Sequence, residues 1–385
     1  MLARAHLSVT RGSADSEKRW DVTMLFLAPT EPFIHTAGRW FLQSGIQEAS
    51  GGVARFYRSD ERQNARVSTE ITGYTLSALL FLHQRTGDSA YLDAGLRAAR
   101  FLTRSGWDHR LATFPFEELN GDRGLTYFFD SGIIVRGLLF AWRVTEDPEF
   151  RDRAIQAGQS MLADFPRREG IHPILALPEK RPVAWEPRWS ASPGCYQLKS
   201  AMAWRDLFEI TGESAFQRGY ESALQAALEN DRDFLPGAPD RNSVMDRLHA
   251  YSYFLEGLLP VLDRPECVSA FQNGLDRAAH YLRDIAPQFA RSDVYAQVLR
   301  ARLMGEASGA VSLDQAAAAH EAEQAASFQR ESADSRIHGG FVFGCKQEDD
   351  LPFVNPVSTA FCLQALALWE DRKSGRPLPK PHALI

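Results

Sequence analysis

One pattern recurs along the chain and limits what it can fold into. An apolar segment is followed by a tight polar turn and then by a segment whose apolar residues return every three or four positions. STEITGYTLSALLFLHQRTGDSAYLDAGLRAARFL begins at Ser68, and FFDSGIIVRGLLFAWRVTEDPEFRDRAIQAGQSML begins at Phe128. GCYQLKSAMAWRDLFEITGESAFQRGYESALQAAL begins at Gly194, and LHAYSYFLEGLLPVLDRPECVSAFQNGLDRAAHYL at Leu248. The turns read TGD, TED, TGE and DRP, and Asp147–Pro148 supplies an N-cap with proline in the first turn of the helix it opens. Two weaker copies start at Ser292 and Asn355; the second lacks its partner helix, which the segment from Thr36 can supply.

A helix that is apolar nearly all round must be buried on both sides, and a lone hairpin cannot bury it. Stacked neighbours can. Six hairpins, with the first helix of the chain pairing with the last, describe an all-α (α/α)6 toroid with an inner ring of apolar helices and an outer ring of amphipathic ones. An open helical solenoid is the alternative, and the unpaired terminal helices favour closure. The expected organisation is an N-terminal extension (1–34), the toroid domain (35–372) and a C-terminal tail (373–385).

The connections from inner to outer segments are short. Those leading back are long, around 105–129, 165–193, 230–247 and 330–355, and are rich in aromatic residues and proline. Long loops inside a compact domain are usually functional, and these all fall on the rim where the inner helices begin. GGF at 339–341 reads as a turn into a short β-hairpin lining a central cavity.

Polar residues recur at that rim. Glu70 and Tyr74 stand in the first copy, Asp130 in the second, and Tyr196 and Lys199 in the third. His249 follows with Tyr251 and Tyr253, then Asp293 with Tyr295 and Gln297, then Asn355 with Ser358 and Thr359. Asp130 and Asp293 alone can be read as N-caps, but Tyr, His and Lys are poor caps. Helix N-termini also direct partial positive charge into such a mouth, which favours an anionic ligand.

The bulk numbers exclude some classes. A formal charge of −6 and a pI near 6.0 leave no basic excess for nucleic acid. No run of eighteen apolar residues is present, and VTMLFLA is too short and too late for a signal peptide. The expectation is a soluble cytoplasmic protein without membrane or nucleic-acid partners. Cys195, Cys267, Cys345 and Cys362 form no C-x-x-C pair and read as reduced thiols. Zinc held by Cys195, Cys345, Cys362 and His249 would lack a recognised spacing, so no metal or cofactor is expected. QEDD at 347–350 has Gln where an acidic cyclase cluster wants Asp, and reads as an exposed loop.

The apolar inner ring, the polar helix starts and the long loops on one rim resemble the six-hairpin glycosidase superfamily of glycoside hydrolases, unsaturated-uronyl hydrolases, polysaccharide lyases and sugar epimerases. STEITGY (68–74), FFDSGIIVRGL (128–138) and NPVSTAFCLQAL (355–366) also look like toroid proteins associated with polysaccharide assembly or degradation. The resemblance implies a carbohydrate-active enzyme, with Asp130 closest to the general acid that the uronyl hydrolases carry near an inner-helix start.

Glycoside hydrolysis needs an acid and usually a second carboxylate. Asp130, with Glu70 or Asp293, meets that need, and the expected substrate is an acidic oligo- or polysaccharide. Arg136, Arg188 and Lys199 are the expected carboxylate-binding cations; Tyr74, Tyr196, His249, Tyr253 and Asn355 are expected to bind substrate. Trp185 and Trp189, with Trp107, Phe341 and Phe343, are candidates to stack on sugar rings. Uronate epimerisation or elimination would instead take a proton beside a carboxylate, using the tyrosines or His249. A non-catalytic carbohydrate-binding or assembly protein would keep the aromatic cleft and need no carboxylate pair.

Overall fold

The computed structural model describes residues 32–117, 124–167, 170–347 and 349–385. Among them are twelve α-helices: α1 (Pro32–Gln43), α2 (Thr69–Thr86), α3 (Ser89–Arg104), α4 (Phe128–Thr145), α5 (Pro148–Asp164) and α6 (Gln197–Thr211), followed by α7 (Ser214–Phe234), α8 (Arg241–Leu258), α9 (Pro265–Ile285), α10 (Ser292–Ala307), α11 (Gln315–Ser327) and α12 (Pro356–Lys373). The even-numbered helices form the inner ring. Each packs on the next, and α12 packs on α2, so the ring closes rather than opening into an arc. Helix α1 packs against α12 and completes the sixth hairpin.

Sequence explains which helices go inside. In α10 every residue from Ser292 to Gly305 is buried, and α12 is buried almost from end to end. Outer helix α3 buries only a stripe made of Tyr91, Ala94, Gly95, Ala98, Ala99, Phe101, Leu102 and Thr103, the three-and-four spacing of an amphipathic helix. The short turns work as their residues suggest. Gly87 adopts φ 73° and donates its N–H to His83, and Asp88 then caps α3 through Ala90 N–H. Asp147 likewise accepts from Glu149 N–H at the start of α5. Where inner helices cross most closely there is no room for a side chain: a Cβ on Gly132 would lie 2.4 Å from the carbonyl oxygen of Ser200.

Three of the long connections fall where expected, and the fourth does not. Helix α7 continues to Phe234 and α8 begins at Arg241, capped by Asp240, so the expected loop at 230–247 shrinks to 235–240. His249, Tyr251 and Tyr253 therefore lie well inside α8, not at its start. The rim loops carry small antiparallel sheets. In one, strand Phe289–Arg291 pairs with Gly344–Lys346, which turns back onto Asp349–Asp350. GGF lies just before that hairpin, with Gly339 at φ 87° and Phe341 bridged to Gln329. Residues 1–31 of the expected extension lie outside the described residues, and 32–34 already belong to α1. Residues 376–385 fold back against the inner helices. No helix among the described residues is long and apolar enough to cross a membrane.

Candidate active site at the loop-bearing rim

Glu70 and Asp130 stand in the first turns of neighbouring inner helices α2 and α4. Neither is a cap. Ser68 caps α2, while α4 starts after Tyr127 without a side-chain cap, which places Asp130 at the third helical position. Asp130 is buried, and its Oδ2 has no hydrogen-bond partner among the described residues. Burial pushes its carboxyl well above the usual range, and the nearby Glu70 pushes it further. Burial raises Glu70 to about 7, with Arg55 acting in the opposite direction. Two carboxylates that feel each other in a desolvated site cannot both ionise readily, so near neutral pH the pair holds a proton.

Arg55 is a residue that the sequence pattern did not single out. It follows the short strand Val53–Ala54 between α1 and α2, and its guanidinium lies 3.0 Å from Glu117 and over the ring of Phe116. Its charge acts on Glu70, Asp130 and Tyr127 together. Tyr127, also unselected, feels Asp130 and Glu70 on one side and Arg188 on the other. Only structure could find these two, because neither lies at a repeated position.

The floor of this region is aromatic. Tyr74 donates a hydrogen bond to Tyr253 at 3.0 Å, and Phe361 packs edge-on against Tyr74 with ring centres 5.3 Å apart. Tyr253 touches Phe129 and His249, each with ring centres 4.6 Å away. Trp189 packs edge-on against Tyr196 at 5.1 Å and reaches His249 at 6.2 Å. Seven of the residues chosen from sequence (Glu70, Asp130, Tyr74, Tyr253, His249, Tyr196 and Trp189) thus form one linked cluster, with Arg188 at its edge.

Asp293 belongs to a different arrangement. Burial would raise its carboxyl, but the two-pronged Arg291 guanidinium more than offsets that and holds it below the usual range. Arg291 also binds Asp246 at 2.7 Å. His249 Nδ1 lies 2.8 Å from Gln297 and 3.4 Å from Asp293, while burial holds the ring at about 4, so it is neutral near pH 7. Gln297 Nε2 and Ser358 Oγ, both buried, have no partner among the described residues.

Other expected site residues are engaged elsewhere. Arg136 binds Asp206 and the carbonyls of Pro381 and Leu384; Lys199 binds Glu256 and the Ile385 oxygen. Neither joins the carboxylate cluster. Asn355 caps α12 through Val357 and Ser358 N–H. Trp185 is exposed, with Arg167 over its ring at 4.3 Å. Trp107 and Phe341 are buried in packing, whereas Phe343 is partly open beneath Arg291. Asp350 of the acidic loop is exposed and paired with Arg330. Among the described residues no three His, Cys, Asp or Glu side chains gather as a metal site.

No family model and no curated protein matches the chain. Solved structures do. It is similar to a D-mannose isomerase (10% identity, TM-score 0.66, covering 91% of this chain and 99% of that one). It is also similar to a sugar epimerase from a ruminal bacterium (12%, TM-score 0.64, 86% and 97%). A third is a structure described as UGL with dGlcA-Glc-Rha-Glc (14%, TM-score 0.63, 88% and 96%). These likenesses span nearly the whole chain and show its fold, the (α/α)6 toroid.

Proposed function

We propose that the protein is a carbohydrate-active enzyme that hydrolyses a glycosidic bond in an acidic, uronate-containing oligo- or polysaccharide. The observation that carries this reading is the Glu70–Asp130 pair, two mutually coupled carboxylates on adjacent helix starts, one of them strongly raised. Asp130, whose carboxyl burial and the nearby Glu70 push well above the usual range, donates its proton to the leaving glycosidic oxygen as the bond to the anomeric carbon breaks. Glu70, poised near 7, takes a proton from the water that attacks that carbon. Arg55 and Arg188 supply positive charge for a uronate carboxylate, the part first expected of Arg136 and Lys199. Trp189, partly exposed and backed by the buried Tyr196, offers an aromatic face to a sugar ring. Tyr74 and Tyr253, hydrogen-bonded to each other, lie close enough to Glu70 to feel its charge.

The neutral His249 against Tyr253 supports a second reading, proton removal beside a carbonyl or carboxylate, as in epimerisation or elimination. One assay separates the two. Matched neutral and uronate-terminated oligosaccharides are incubated with the protein and followed by mass spectrometry and ultraviolet absorbance. Hydrolysis adds water to give two fragments, elimination gives an unsaturated fragment without water, and epimerisation leaves the mass unchanged. Cleavage with water, confined to the acidic set and lost in Asp130→Asn, is expected. Epimerised product that depends on His249 and survives Asp130→Asn would overturn the hydrolytic reading.

A further inference from the structure

The cations absent from the carboxylate cluster converge on another part of the chain. Arg136 in α4, Arg300 in α10 and Gln364 in α12 each stand eight residues past the first residue of their helix, about 12 Å below the loop-bearing rim. All three bind main-chain atoms of residues 381–385. Arg136 donates to the Pro381 carbonyl at 2.8 Å and the Leu384 carbonyl at 3.1 Å. Gln364 donates to the Ala383 carbonyl at 2.9 Å and accepts from Ile385 N–H at 3.0 Å. Lys199 and Arg300 donate to the Ile385 oxygen at 3.0 and 3.2 Å.

Such recognition reads backbone and leaves sequence choice to apolar contacts. Ala383, Leu384 and Ile385 are buried, while Lys380 is exposed. His382 feels the charges of Arg143 and Asp206, near the ends of α4 and α6, so the segment enters from the rim opposite the long loops. Lys199 and Arg300 are fully buried and share one counter-charge, Glu256. A buried cation cluster with fewer carboxylates than cations is costly unless oxygens from elsewhere complete it. Here the chain's own carbonyls do so.

We propose that the far opening of the ring is a built binding site for a short peptide that makes one 3-10 turn and buries two large apolar side chains after it, and that residues 380–385 occupy it in cis. The site lies one layer below the candidate active site: Glu256 acts on both Tyr74 and Tyr253, and Arg300 stacks on Phe361 at 4.0 Å. The proposal does not depend on which sugar chemistry takes place above.

The test begins with the full chain, so that folding precedes any break. A specific protease sequence is inserted between Ser374 and Gly375, both exposed, and the folded protein is cut. Native mass spectrometry after gel filtration then asks whether the released segment stays bound. A fluorescent synthetic peptide of residues 376–385 is added to follow exchange. Retention of the segment, its displacement by the labelled peptide, and about tenfold weaker peptide binding in the cut Gln364→Ala protein are expected. A labelled peptide with Leu384→Asp is expected not to compete. Loss of the segment on gel filtration with no saturable binding of the labelled peptide would overturn the proposal, as would equal binding of the Leu384→Asp peptide.

Discussion

At the residue scale, burial makes the carboxyls of Glu70 and Asp130 hold their protons more tightly than the same groups do in water. Asp130→Asn keeps the shape but removes the transferable proton. The expected result is a fall in turnover of about 10²–10⁴ with the melting temperature nearly unchanged, measured on a substrate that the native protein cleaves. Glu70→Gln tests the same site through stability. Because the folded-state value of Glu70 is raised, the folded protein retains a proton that the unfolded chain releases between its ordinary 4.5 and about 7. Stability from this group is therefore present below that window and lost as pH rises through it. Chemical denaturation should find Glu70→Gln more stable than the native protein at pH 8, by about 1–2 kcal/mol, and little different at pH 4. Asp130 and Glu70 were legible in sequence because they sit at repeated positions. Arg55 was not, since it lies in an irregular stretch between helices. Arg136 and Lys199 were legible as cations near the inner ring, but sequence spacing gives a height along a helix and not the partner a long side chain reaches.

At the element scale, local pattern was a good guide where turn chemistry is explicit. Gly87 ends α2 and Asp88 and Asp147 start α3 and α5 as their residues dictate, whereas Glu146 ends α4 at φ 59°, a position that glycine would suit better. The pattern failed at α8, where ENDRDF continues α7 and RNSVMDR already belongs to α8, because polar helical turns on a rim look like loop. Inner-helix contact depends on small residues. Gly132→Ala is expected to push α4 from α6 and cost about 1–3 kcal/mol by denaturant unfolding, since the Cβ would meet backbone that cannot rotate away. An unchanged midpoint would show that the two helices can separate without loss.

At the scale of the whole molecule, closure of the ring follows from six copies of a hairpin that cannot bury its apolar helix alone, and that much was written in the repeat. The filling of the far opening was not, because RPLPKPHALI carries no periodicity and its burial depends on side chains from four helices. Glu256→Gln removes the one carboxylate shared by Lys199 and Arg300, leaving buried cations uncompensated; a loss of about 3–5 kcal/mol in thermal or chemical unfolding is expected. A carboxyl group at the loop-bearing rim that is to act as an acid must stay protonated at neutral pH. Infrared difference spectroscopy measures this without any substrate. At pH 7 the native protein should show a protonated-carboxyl band that is absent from Asp130→Asn and shifts in Glu70→Gln. Identical carboxyl spectra for native protein and Asp130→Asn at that pH would contradict the account.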